Sequence, residues 1–102
     1  MTGDERIIRR LIVSGRVQGV GFRAWVEHQA TERDLQGWVR NRRDGTVEAV
    51  VAGPPEAVSE MIAACHRGPW LAKVADVQIV DASERDLALQ RPAEQFSQLP
   101  TV

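Results

Sequence analysis

Hydrophobic residues in this chain fall into short blocks whose spacing changes from one block to the next. The run Ile7-Ile8-Arg9-Arg10-Leu11-Ile12-Val13 predicts a strand, whereas Phe22, Trp25, Val26 and Ala30 recur at helical spacing and predict an amphipathic helix. A polar break at Thr31-Glu32-Arg33-Asp34 follows. Leu35-Gln36-Gly37-Trp38-Val39-Arg40-Asn41 alternates as a half-buried strand does, and Arg42-Arg43-Asp44-Gly45 supplies a turn. Thr46-Val47-Glu48-Ala49-Val50-Val51-Ala52 alternates again, so the two segments form a hairpin. Gly53-Pro54-Pro55-Glu56 starts a second helix, proline being tolerated in a first turn. Ala57, Val58, Met61, Ile62 and Cys65 make its apolar stripe, and Gly68-Pro69 closes it. A last strand runs through Lys73-Val74-Ala75-Asp76-Val77-Gln78-Ile79-Val80. From Asp81 the chain is polar and weakly patterned, which predicts a loosely ordered tail docked by Phe96.

The order βαββαβ predicts an α+β, ferredoxin-like sandwich: a four-stranded antiparallel sheet with two helices on one face. With 102 residues the chain is expected to form one domain over 1–102, with its core in about residues 6–80 and its tail in 81–102. The first two strands run in the same direction because a helix crosses over between them. Their carboxyl ends therefore lie at one edge of the sheet, where the loop Gly15 to Gly21 is expected to meet Asn41.

Composition narrows the chemistry. Cys65 is the lone cysteine, which precludes an intrachain disulfide and fits a reducing cytoplasm. With only His28 and His66, a zinc site would need mixed carboxylate ligands, so neither a metal nor another cofactor is expected. Met1-Thr2-Gly3-Asp4-Glu5-Arg6 lacks the apolar run of a signal peptide, and no stretch approaches the length of a membrane span. A formal net charge of −1 gives no general reason to expect nucleic acid as a partner, although twelve of the thirteen cations are arginine.

Gly15-Arg16-Val17-Gln18-Gly19-Val20-Gly21-Phe22-Arg23 links the first strand to the first helix. Glycines let successive amides turn toward one concave surface, and a helix start presents free N–H groups and the positive end of its dipole. Arg23 adds a planar guanidinium able to form two parallel bonds to phosphate oxygens. No Lys-Ser or Lys-Thr pair follows the glycines, and Lys73, the single lysine, is far away, so this is not a nucleoside-triphosphate loop. Gly19-Val20-Gly21 also lacks the third glycine of a dinucleotide fingerprint.

Asn41 is no base near neutral pH, but its carboxamide can orient a water. With a phosphoryl group in the loop, such a water would stand opposite the leaving oxygen, and phosphoryl transfer needs mainly positioning and charge stabilisation. A carboxylate leaving group requires no strong general acid. Blander roles compete: an Asn before a hairpin turn commonly bonds local backbone, and an Arg on a helix is often only solvated. His28 is expected at the surface, Cys65 in the core, and His66 and Arg67 at the negative end of the second helix. Trp25, Trp38 and Trp70 are expected to pack inside.

Two motifs carry a family resemblance. Ser14-Gly15-Arg16-Val17-Gln18-Gly19-Val20-Gly21-Phe22-Arg23 resembles the acylphosphatase signature Gly-x-Val-Gln-Gly-Val-x-Phe-Arg. Gly37-Trp38-Val39-Arg40-Asn41 resembles its second motif, with Gly45, Val47 and Gly53 at the family's spacing. The resemblance implies a small cytoplasmic, metal-independent hydrolase of the carboxyl-phosphate bond. It implies that Arg23 binds the phosphate, that Asn41 positions the nucleophilic water, and that Gly15, Arg16, Val17, Gln18, Gly19, Val20 and Gly21 form the cradle. A monomer acting on a small acyl phosphate, with inorganic phosphate as product and inhibitor, is the matching expectation. No carbamoyl-transfer sequence follows, so the stand-alone form is expected. The tail fits less well, since Pro100 would interrupt a final strand ladder.

Two other classes remain open at this point. A ferredoxin-like RNA-binding module would carry aromatics on its open sheet face, yet Thr46-Val47-Glu48-Ala49-Val50-Val51 has none and carries an acid. A non-catalytic anion-binding regulatory domain would keep the loop without needing Asn41. The acyl half of the substrate stays open among carbamoyl phosphate, acetyl phosphate and a bisphosphoglycerate, because a phosphate cradle does not read it.

Overall fold

The computed structural model describes residues 5–102. Met1-Thr2-Gly3-Asp4, most of the stretch expected to carry no signal peptide, lie outside the described residues. In chain order the elements are β1 (Ile7–Arg16), α1 (Phe22–Glu32), β2 (Gln36–Asn41), β3 (Val47–Gly53), α2 (Pro55–Arg67), β4 (Lys73–Asp81), α3 (Glu84–Leu87) and β5 (Phe96–Gln98). They form one five-stranded sheet in the order β4-β1-β3-β2-β5. The first four strands pair antiparallel, with Asn41 opposite Val47 and Val13 opposite both Val47 and Val77.

Period-two alternation on the central strand β3 separates the two faces. Val47, Ala49 and Val51 point into the main core together with Leu11 and Val13 from β1, Phe22, Val26 and Ala30 from α1, and Val58, Met61 and Cys65 from α2. Both long helices thus cover one face, as their apolar stripes require. Val50 and Ala52 point the other way, where they join Ile8, Trp38 and Leu87. Pro55 opens α2 and Gly68 closes it, the Gly68 amide donating to the Ala64 carbonyl at 2.9 Å.

Four expectations need correction. The tail is ordered: β5 pairs parallel with β2, setting Phe96 beside Gly37, and Phe96 is buried in the main core. The sheet is therefore five-stranded and mixed. Pro100 lies past the end of β5 and so terminates the ladder instead of preventing it. Between β4 and β5, Ser83 and Asp86 form a reciprocal capping box that starts α3. α3 lays Leu87 on the second face, and the Trp38 indole donates to the Asp86 carbonyl at 2.8 Å. Finally, Trp38 is buried and Trp25 packs on Phe22, but Trp70 does not pack: it is 92% exposed, in the turn between α2 and β4.

Candidate active site

β1 runs three residues beyond Val13, its last core position, and the ladder to β4 shifts register between Ser14 and Gly15. Gly15 is required at that bulge: its φ is 115°, and a Cβ there would sit 2.3 Å from the Lys73 carbonyl oxygen. Gly15 and Arg16 consequently belong to the strand, opposite Val74 and Lys73. The loop proper spans Val17 to Gly21. Val17 is buried in the core and Val20 packs against it from the rim, so these two side chains tie the loop down. Gly19 and Gly21 adopt φ of 75° and 78°, with open space where side chains would project. Gly21 is also the N-cap of α1, and no side chain caps the first-turn amides. Those N–H groups are left to whatever occupies the space before them.

That space is a cavity of about 170 Å³, lined by Val17, Gln18, Gly19, Gly21, Phe22, Arg23, Ala24, Asn41 and Gln98. Arg23 and Asn41, separated by a helix and a strand in sequence, thus face one another as the crossover predicts. Both are half-buried, and among the described residues neither side chain has an ion-pair or hydrogen-bond partner. The cavity has one cationic fork, first-turn amides that no side chain caps and, besides Gln18 and Gln98 whose side chains bond elsewhere, the carboxamide of Asn41, unpaired among the described residues, and no carboxylate lines it. Such a set holds a compact anion and places one polar molecule beside it.

Gln18 lines the cavity, and its side chain has a further part. Its side-chain amide donates to the carbonyls of Arg42 and Thr46, at 2.7 and 2.8 Å, and so fastens the loop to the mouth of the β2–β3 hairpin. The Asp44 carboxylate accepts from the Thr46 hydroxyl at 2.6 Å and from its amide at 3.0 Å, and these bonds hold its pKa below the ordinary value. From the far side the Val102 amide donates to the Asn41 carbonyl, and the Arg43 amide donates to the Val102 carbonyl. Asn41 is thereby braced by the loop, the turn and the tail.

Gln98 and Val102 had no signal in the sequence, because both reach the site through the β5 pairing, which no local pattern announces. Burial pushes the Cys65 thiol up to about 12, so it stays protonated within the core and is no nucleophile. His28 is exposed and contacts Glu32 at 3.4 Å, one turn along α1, away from the cavity. Among the described residues no three His, Cys, Asp or Glu side chains gather as a metal site would require, and no helix is long and apolar enough to cross a membrane. On the sheet face where an RNA-binding module would stack bases, Leu87, Ala82 and Leu99 pack against Ile8, Trp38, Val50 and Ala52.

The acylphosphatase family profile matches residues 9–96. An acylphosphatase of Rhodopseudomonas palustris strain BisB18 is 58% identical over 96 residues, covering 94% of this chain and 97% of that protein. One from Bradyrhizobium diazoefficiens is 54% identical over 97 residues, covering 95% and 98%. The crystal structure of the acylphosphatase from Bacillus subtilis superposes with a TM-score of 0.78 at 37% identity, covering 91% of this chain and 98% of that one. The profile match over most of the chain, the 54–58% identity along nearly the full length of both relatives and the shared fold place this chain in the acylphosphatase family.

Proposed function

We propose that the phosphoryl group of an acyl phosphate binds in the 170 Å³ cavity, held by Arg23 and by the amides of Gly19 to Gly21 and of the first turn of α1, with a water aligned by Asn41. Membership of the family makes the chain a hydrolase of the carboxyl-phosphate bond, and the residue roles are our reading of the site. The observation that carries it is the joint lining of one small cavity by Gly19, Gly21, Arg23 and Asn41. The water oxygen attacks phosphorus as the bond to the acyl oxygen breaks, the bonding pair leaves with the carboxylate, and a phosphoryl oxygen takes the water's proton. Charge accumulating on the equatorial oxygens meets the guanidinium and the amides, whose orientation is set before the reaction begins.

Gly15 and Arg16 do not line this cavity, and we assign them to shaping the strand end, and the Gln18 side chain to bracing the hairpin. We further propose that the protein works as a cytoplasmic monomer, supported by its one buried cysteine. Hydrolysis of benzoyl phosphate in EDTA, followed by ultraviolet absorbance beside the Asn41→Ala variant, tests the reading. Turnover by the wild type that collapses in the variant is expected. A folded wild type that binds phosphate without turnover would instead assign the cavity to anion sensing.

A further inference from the structure

A second, larger cavity lies beside the phosphoryl cavity and shares one lining residue with it. A groove of about 390 Å³ runs between α1 and the tail, lined by Glu27 and Thr31 from the helix and by Arg91, Glu94, Gln95, Phe96 and Gln98 from the tail. Gln98 lines both cavities. Arg23, Glu27 and Thr31 are spaced four residues apart, so they form one stripe along α1, each step rising about 6 Å. Phe96 and Gln98, two apart on β5, form the opposite wall. Where the walls meet, the Gln98 amide donates to the Glu27 carboxylate at 2.7 Å.

The charges in this groove are not spent on one another. The Arg91 guanidinium donates to the Gln98 carbonyl, and Glu94 accepts from the Ser97 hydroxyl, but among the described residues Arg91, Glu27 and Glu94 enter no ion pair. One cation and two carboxylates therefore face a common space, a step away from the phosphoryl cavity. A purely anionic acyl group would meet two like charges there, and an apolar one would desolvate all three. A group that carries both signs matches them.

We propose that this groove receives the acyl half of the substrate and selects an acyl phosphate built on the side-chain carboxyl of an acidic amino acid. The α-ammonium would lie toward Glu27 and Glu94 and the α-carboxylate toward Arg91. The proposal rests on the reading of the Arg23 cavity as the phosphoryl site. The distance suits it, since the few bonds between phosphorus and the α-carbon of such a substrate span about the one-turn rise from Arg23 to Glu27.

Calorimetric binding of phosphononorvaline, an α-amino acid ending in a phosphonate, against pentylphosphonate tests this directly. Partly exposed ion pairs each contribute up to about fivefold, so the amino acid is expected to bind about tenfold tighter, with inorganic phosphate displacing both. Glu27→Gln and Arg91→Ala should each bring the ratio toward one. Glu27→Gln keeps an acceptor for Gln98, so its effect reads charge and not the loosening of β5 that loss of Arg91 could bring. Equal affinities, a ratio unmoved in both variants, or phosphonates that phosphate does not displace would overturn the proposal. Absence of benzoyl phosphate turnover would overturn the hydrolytic reading of the site instead, and the binding ratio would still decide the groove.

Discussion

The side-chain amide of Gln18 donates to the carbonyl of Arg42 at 2.7 Å, one residue beyond Asn41, so the loop that shapes the anion cavity also grips the strand that supplies the carboxamide. The same amide reaches Thr46 across the hairpin mouth, at 2.8 Å. Gln18→Ala removes two part-buried bonds to backbone carbonyls, each contributing about 1 kcal/mol, so urea unfolding should show a loss of about 2 kcal/mol. With Asn41 less firmly placed, kcat should fall about tenfold or more while KM changes little. Gln18→Glu, which presents a carboxylate to two carbonyl oxygens, should lose more than the alanine variant. Normal kcat and stability in Gln18→Ala would leave this brace without a role.

Arg23→Lys retains a positive charge but replaces a planar fork with a single ammonium, which cannot make two parallel bonds to one phosphoryl group. Loss of kcat/KM by a factor on the order of a hundred to a thousand is expected. Near-normal kcat/KM with benzoyl phosphate would remove Arg23 from the phosphoryl site.

Asn41→Ala separates holding from turning over. Inorganic phosphate should inhibit the wild type competitively, because it is the product and fits the same cavity. Its inhibition constant should be unchanged in the variant, while kcat falls, since water alignment matters in the transition state and little in the ground state. A parallel loss of phosphate affinity would make Asn41 part of the phosphate grip.

Much of this was legible in the residues because it depends on local pattern. The alternation through Trp38 and Val50, the stripe ending at Cys65 and the glycines before Phe22 each set an element, and the right-handed crossover then brings Asn41 to the loop. What escaped depends on partners distant in the chain. The three residues of β5 are too few to show a period, and their partners, Gly37 to Val39, lie 59 residues earlier in the chain. α3 is a single turn whose one signal is the Ser83 to Asp86 capping box. Gln98, and with it the groove beside the active site, follows from that unseen strand. Trp70 was misplaced because composition favours a buried tryptophan, whereas a residue in a turn has no face to bury.

On the sheet face away from α1 and α2, Glu48 links three strands. Its carboxylate accepts from Arg10 at 2.6 Å and from Arg40 at 2.8 Å, its side chain is only 4% exposed, and Arg40 stacks 4.6 Å above the Trp38 ring. Burial alone would raise the Glu48 pKa, but the bonds from Arg40 and Arg10 outweigh it and hold the carboxyl below its ordinary 4.5. A group whose folded pKa is depressed stabilises the fold above its unfolded pKa and loses that contribution as pH falls through the folded value. Glu48→Gln leaves two guanidinium groups short of a charged acceptor and should cost on the order of 3 kcal/mol at neutral pH. Chemical denaturation of both proteins across a pH series should show the gap constant down to about pH 5 and closing below it. A gap that stays open in strong acid would mean that the loss in Glu48→Gln comes from packing and not from the charge.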